Sequence, residues 1–143
     1  MKKFFLALAL LLSLGLVFSP VTLAKNLTKK DLVREAKKQI CEVSPAEAKA
    51  MIGKPGTVLI DCREPNEFKE GHIPGAINIP RGLLEFKIEK AVPDRETKII
   101  IHCKTGGRAS LACCSLCRMG YKNVVSIQGG WKAWVKAGYP TEK

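Results

Sequence analysis

The sequence predicts an α/β domain on a mainly parallel, five-stranded sheet with helices on both faces. Short apolar runs rich in β-branched residues alternate with helix-forming segments, the pattern of a parallel sheet covered on both sides. Caps and glycine stops punctuate that alternation at the right places. The chain has 143 residues, enough for one domain with a substantial core and too few for two.

Residues 1–24 read as a leader. Met1-Lys2-Lys3 is basic, Phe4 to Val17 is almost wholly apolar, and small residues up to Ala24 precede Lys25. That three-part layout is a secretory signal peptide, which implies a periplasmic or secreted protein with no stable membrane association after cleavage. The alternative is an uncleaved anchor, because Phe4 to Ala24 is 21 residues without charge, close to the roughly 20 that span a bilayer. Without Lys2 and Lys3 the net charge falls from +11 to +9. The basic residues are scattered, with no arginine-rich tract, which argues against nucleic acid and suits a small anionic substrate.

Residues 25–39 form a helical extension: Thr28 and Asp31 stand at capping-box spacing, with Leu32, Val33 and Ala36 on one face. The domain proper runs over 40–143. It opens with a strand from Ile40 to Val43. Ser44-Pro45-Ala46-Glu47 then starts a helix that runs to Ile52 and stops at Gly53. A strand from Thr57 to Asp61, a helix from Glu64 to Lys69 and a short strand from Ala76 to Ile79 follow. Arg81 to Val92 carries a helical pattern. A strand from Lys98 to His102, a helix from Gly107 to Met119, a strand from Val124 to Ile127 and a helix from Trp131 to Ala137 complete the chain.

The chemistry concentrates after the Lys98–His102 strand. An apolar run stops at Cys103, Lys104-Thr105-Gly106-Gly107 follows, and Arg108 leads into a helix. Strand, tight loop and helix N-terminus make an anion cradle, because successive N–H groups point inward and the helix dipole adds positive potential. A sulfur at the bottom of such a cradle is held as thiolate and becomes nucleophilic. Gly106 and Gly107 let the backbone bend inward, while Lys104 and Arg108 add positive charge. His102 points to the opposite face of its strand and reads as a core residue, not a general base. His72, in a Gly-His-Ile-Pro-Gly turn, reads as a structural hydrogen-bonding residue.

Four motifs in order, Asp61-Cys62-Arg63-Glu64-Pro65-Asn66-Glu67-Phe68, Gly71 to Pro80, the Cys103 loop, and Gly129-Gly130 with Trp134 ahead of Gly138-Tyr139-Pro140, resemble the rhodanese family across Ser44 to Pro140. The resemblance implies thiosulfate sulfurtransferase chemistry. Cys103 would take a sulfane sulfur from a small anionic donor as a persulfide, and cyanide or a thiol, such as that of a thioredoxin-like protein, would remove it. No metal and no organic cofactor is implied. The amides from Lys104 through Thr105, Gly106 and Gly107 to Arg108 would hold the terminal sulfur. The arginine closing the loop either meets the donor or braces the loop. Asp61 and Arg63 are expected to support the loop through hydrogen bonds and an ion pair.

Four residues separate Cys103 from Arg108, whereas related cysteine phosphatases use five to hold three phosphoryl oxygens. No aspartate stands beside the loop as an acid, so cysteine phosphatase or arsenate reductase chemistry is disfavoured. Cys113 falls on the buried stripe of its helix. Cys114 and Cys117 should lie together on the outer side, as surface thiols or as the pair of a persulfide carrier or thiol-redox protein. Cys41 and Cys62 are expected in strands, as small core residues.

Overall fold

The computed structural model describes residues 26–143; the predicted leader over 1–24 lies outside them. Two capping boxes set the first helices. Thr28 and Asp31 exchange hydrogen bonds at the start of α1 (Lys29–Lys37), and Ser44 and Glu47 do so at α2 (Pro45–Met51). Each satisfies N–H groups that the first helical turn leaves without partners. The strands are β1 (Cys41–Val43), β2 (Thr57–Asp61), β3 (Ile77–Asn78), β4 (Lys98–His102) and β5 (Asn123–Ile127). The remaining helices are α3 (Pro65–Glu70), α4 (Leu84–Ala91), α5 (Gly107–Arg118) and α6 (Gly130–Lys136). The helix expected from Arg81 opens as a 3-10 turn over Arg81–Leu83; Gly82 in that turn disfavours regular α-helix.

All strand pairs are parallel, in the order β1-β5-β4-β2-β3. The sheet is therefore fully parallel where a mainly parallel one was expected. Alternation along β2 and β4 divides the core. Ile60, Ile99 and Ile101 face α4 and α5, against Leu84, Ile88 and Leu116. Leu59, Ile100 and Ile127 face the other way, against Ala48, Ile73 and Trp134. β4 is the central strand, with β5 and β2 on its flanks, and its four residues Ile99–His102 are buried. Such a strand holds its carboxyl end rigidly, where ligands of open parallel sheets bind. Cys103 follows at once.

α1 packs beside α5 at the N-terminal end of that helix. A Cβ added to Gly107 would sit 3.5 Å from Val33, and the Cys114 thiol lies 3.7 Å from the Ala36 carbonyl. Between the two helices runs a cleft of about 640 Å³, with Lys29, Arg34, Lys37, Thr105 and Arg108 on its walls. No helix among the described residues is long and apolar enough to cross a membrane.

Candidate active site

Cys103 leaves β4 on the α5 side of the sheet and is 1 % exposed. The loop behind it turns through Gly106, whose φ of +99° is left-handed, a conformation glycine adopts without strain. The turn brings the Gly106 N–H to 3.2 Å from the Cys103 Sγ. The Cys103 thiol falls from an ordinary 9.0 to about 5: the neighbouring Cys62 thiol is the largest cause, burial opposes it, and the amides of Ala109, Thr105 and Gly106 add to the fall. These donors outweigh burial, so the sulfur is ionised at neutral pH. The converse holds for Cys62, whose thiol is driven far above its usual range by its contact with Cys103 and by burial.

The rear of the loop is closed by the Gly129-Gly130 turn. Trp131 N–H donates to the Cys103 carbonyl at 2.8 Å, and Lys132 N–H to the Lys104 carbonyl at 3.1 Å. Gly130 approaches so closely that a Cβ there would lie 2.3 Å from the Cys103 oxygen. Only a glycine fits between the loop and the start of α6. Lys104 and Thr105 are exposed on the outer side, Gly106 is buried, and Gly107 and Arg108 are half-buried.

Asp61 and Arg63 do form the expected ion pair, fully buried at 2.6 Å. It differs from expectation in what it supports. The Arg63 guanidinium donates to the Gly71 carbonyl at 2.7 Å and stacks over Trp131 at 4.5 Å. No hydrogen bond runs from either side chain to the Cys103 loop among the described residues. The physical reason is the pleat: Asp61 pairs in register with His102, so its side chain points to the sheet face opposite the Cys103 sulfur. The pair reaches the loop indirectly, through Trp131 and through His102, whose Nδ1 lies 3.3 Å from the Cys103 carbonyl. His102 shares that face, buried, with Nε2 3.5 Å from Asp61. Burial lowers its pKa, and it stands away from the sulfur as expected. His72 Nδ1 lies 3.1 Å from the Phe68 carbonyl, within the turn.

Arg108 is engaged on the other side. Glu67 receives two hydrogen bonds from its guanidinium, at 2.7 and 3.0 Å, and Arg108 in turn pulls the Glu67 carboxyl below its ordinary value. Glu67 was not among the expected site residues. Its sequence signal was present but pointed elsewhere: three residues after Glu64 it reads as a helix cap, and it does accept from the Glu64 N–H at 3.2 Å.

All six cysteines are free thiols. Cys113 is buried as expected, and Cys117 is exposed with Cys114 half-covered by α1. Cys41 is a correction: it is exposed instead of core, because it is the first residue of β1, a strand at the sheet's edge with a neighbour on one side only. Cys62 is buried but lies one residue past β2. Among the described residues no cluster of His, Cys, Asp and Glu side chains is placed to hold a metal ion.

The fold is thus a parallel α/β domain with a buried cysteine sulfur facing a main-chain amide at the carboxyl end of its central strand. The chain belongs to the rhodanese family: the Rhodanese-like domain matches residues 44–137. It is 35% identical over 83 residues to a sulfurtransferase of Allochromatium vinosum, across 58% of this chain and 76% of that one. It is 31% identical over 100 residues to the thiosulfate sulfurtransferase GlpE of Coxiella burnetii, across 70% and 91%. A solved Rhodopseudomonas palustris structure, described as of unknown function and a possible tyrosine phosphatase, is 34% identical with a TM-score of 0.74, across 83% and 97%.

Proposed function

We propose that the protein transfers a sulfane sulfur from thiosulfate, or a similarly small anionic donor, to a thiophilic acceptor through a Cys103 persulfide. The observation that carries this reading is the placement of the buried Cys103 sulfur at the carboxyl end of β4, with the Gly106 N–H 3.2 Å from it in the loop that opens α5, a setting whose donors pull the thiol down. The Cys103 thiolate attacks the outer sulfur of thiosulfate; the new S–S bond forms as the S–S bond to the sulfonate breaks, and sulfite leaves with the electron pair. The terminal sulfur of the persulfide carries the negative charge, and the same amides stabilise it. Cyanide or an acceptor thiolate then takes that sulfur and regenerates the Cys103 thiolate. Charge balances at both steps, and neither needs a proton-transfer residue.

The bidentate Arg108–Glu67 pair supports a bracing role for Arg108 and leaves exposed Lys104 to meet the donor's sulfonate. A site this enclosed favours a slender donor and a single added atom over a phosphoryl group. The name of the Coxiella relative supports thiosulfate as donor, and the predicted leader supports action outside the cytoplasm; a thioredoxin-like protein is the proposed acceptor.

Intact mass spectrometry tests the proposal. Thiosulfate treatment is expected to add one sulfur, about 32 Da, which cyanide removes and Cys103→Ser never acquires. Uptake by Cys103→Ser overturns the assignment. Phosphate release from an aryl phosphate without sulfur uptake from thiosulfate overturns the reaction class.

A further inference from the structure

Sulfur transfer uses one thiol of the loop region and leaves another, equally buried, beside it. Asp61 and His102 are the last residues paired in the β2–β4 register. The ladder continues for one more bond, with Cys62 N–H donating to the His102 carbonyl at 2.9 Å. Cys62 and Cys103 are therefore the next opposed residues across the two strands. Neighbouring strands lie about 4.8 Å apart, inside the window of about 4.4–6.8 Å between Cα atoms that a disulfide spans. Both side chains project to the same face and pack in the same core cluster, exposed by 0% and 1%.

We propose that Cys62 is a resolving thiol that captures an oxidised Cys103 as a Cys62–Cys103 disulfide. The inference rests on the reading of Cys103 as an ionised nucleophile. A thiolate of that kind is what peroxides attack. Cys103–S⁻ displaces hydroxide from hydrogen peroxide and becomes the sulfenic acid. The Cys62 sulfur then attacks the Cys103 sulfur, the S–O bond breaks, and the Cys62 proton leaves with the departing hydroxide as water. An external dithiol reduces the bridge, giving back two thiols and carrying away the oxidising equivalent as its own disulfide. Without Cys62 a second peroxide takes the sulfenic acid to the sulfinic acid, which thiols do not reverse.

The same geometry explains why Cys62 does not interfere with sulfur transfer. While Cys103 is an anion, Cys62 is held protonated by that contact and by burial. Conversion of Cys103 to a neutral sulfenic acid removes the first of these. That loss of charge eases removal of the Cys62 proton, against which burial still acts.

The test uses the full protein, freed of bound sulfur by cyanide and treated with hydrogen peroxide. The intact mass is expected to fall by about 2 Da, and non-reducing tryptic mapping should join the peptide ending at Arg63 to the one ending at Lys104. Dithiothreitol should restore both the thiols and sulfur uptake from thiosulfate. In Cys62→Ser, Cys103 should instead gain about 32 Da as sulfinic acid that dithiothreitol does not remove. Sulfinic acid at Cys103 of the wild type beside a free Cys62 thiol overturns the proposal, as does a bridge from Cys103 to any other cysteine. A protein that forms the 62–103 bridge yet takes no sulfur from thiosulfate supports the resolving pair and removes the sulfurtransferase reading.

Discussion

Cys62→Ala deletes the group that contributes most to the ionisation of Cys103. The fall from 9.0 to about 5 corresponds to roughly 5 kcal/mol of preference for the thiolate, at about 1.4 kcal/mol per pH unit. A hydrogen bond to a charged group is worth about 1.5–3 kcal/mol, so losing the Cys62 donor should raise the Cys103 midpoint by about one to two pH units. The backbone amides remain and keep it below an ordinary thiol. The assay is the rate of iodoacetamide alkylation of the tryptic peptide spanning residues 99–104, followed by mass spectrometry from about pH 4 to about pH 9. The wild-type rate should be level at neutral pH and fall away only near the value of about 5. A wild-type midpoint near the ordinary value of 9.0 refutes the thiolate cradle. An unchanged midpoint in Cys62→Ala refutes the share assigned to Cys62.

Three further outcomes follow from the same contacts. Gly130→Ala, forced to keep a φ of +57° with its Cβ 2.3 Å from the Cys103 carbonyl, should lose at least about 2 kcal/mol of stability in urea unfolding; an unshifted midpoint contradicts the close approach. Glu67→Gln removes the charge that holds Arg108 and should cost about 1 kcal/mol, with slower sulfur uptake as the loop loosens; faster uptake shows that Arg108 serves better when free. Because the folded Cys103 value is depressed, its contribution to stability is complete above the unfolded value of 9.0 and drains as pH falls through about 5. Buried Cys62, raised in the fold, works the other way above 9.0. Urea midpoints should climb across that window and climb less in Cys103→Ser; parallel curves for the two proteins rule out the linkage.

Much of this was legible without coordinates because it is written in near neighbours. The capping boxes of Thr28 with Asp31 and Ser44 with Glu47 each span one helical turn, and both are present. The order strand, Cys103, tight loop, helix specifies the cradle locally, since the donors come from residues a few positions further on. His102 could be set aside from the chemistry by strand alternation alone. What escaped was which groups meet across the chain. Arg108 and Glu67 are 41 positions apart, and nothing local ties the arginine to that carboxylate rather than to a ligand.

The register between β2 and β4 likewise places two buried sulfurs side by side, although Cys62 in its own segment resembles any small core residue. Asp61 and Arg63 pair as neighbours in sequence must, yet the pleat turns them toward Gly71 and Trp131, on the far face from Cys103. Cys41 is exposed because β1 ends up at the sheet's edge, a matter of strand order that its own residues do not encode. Backbone propensity and capping act within a turn or two and are readable in one dimension. Ion pairs between distant segments, the facing of thiols and the cover over an edge arise from packing the sheet against its helices, and they exist only once the chain has folded.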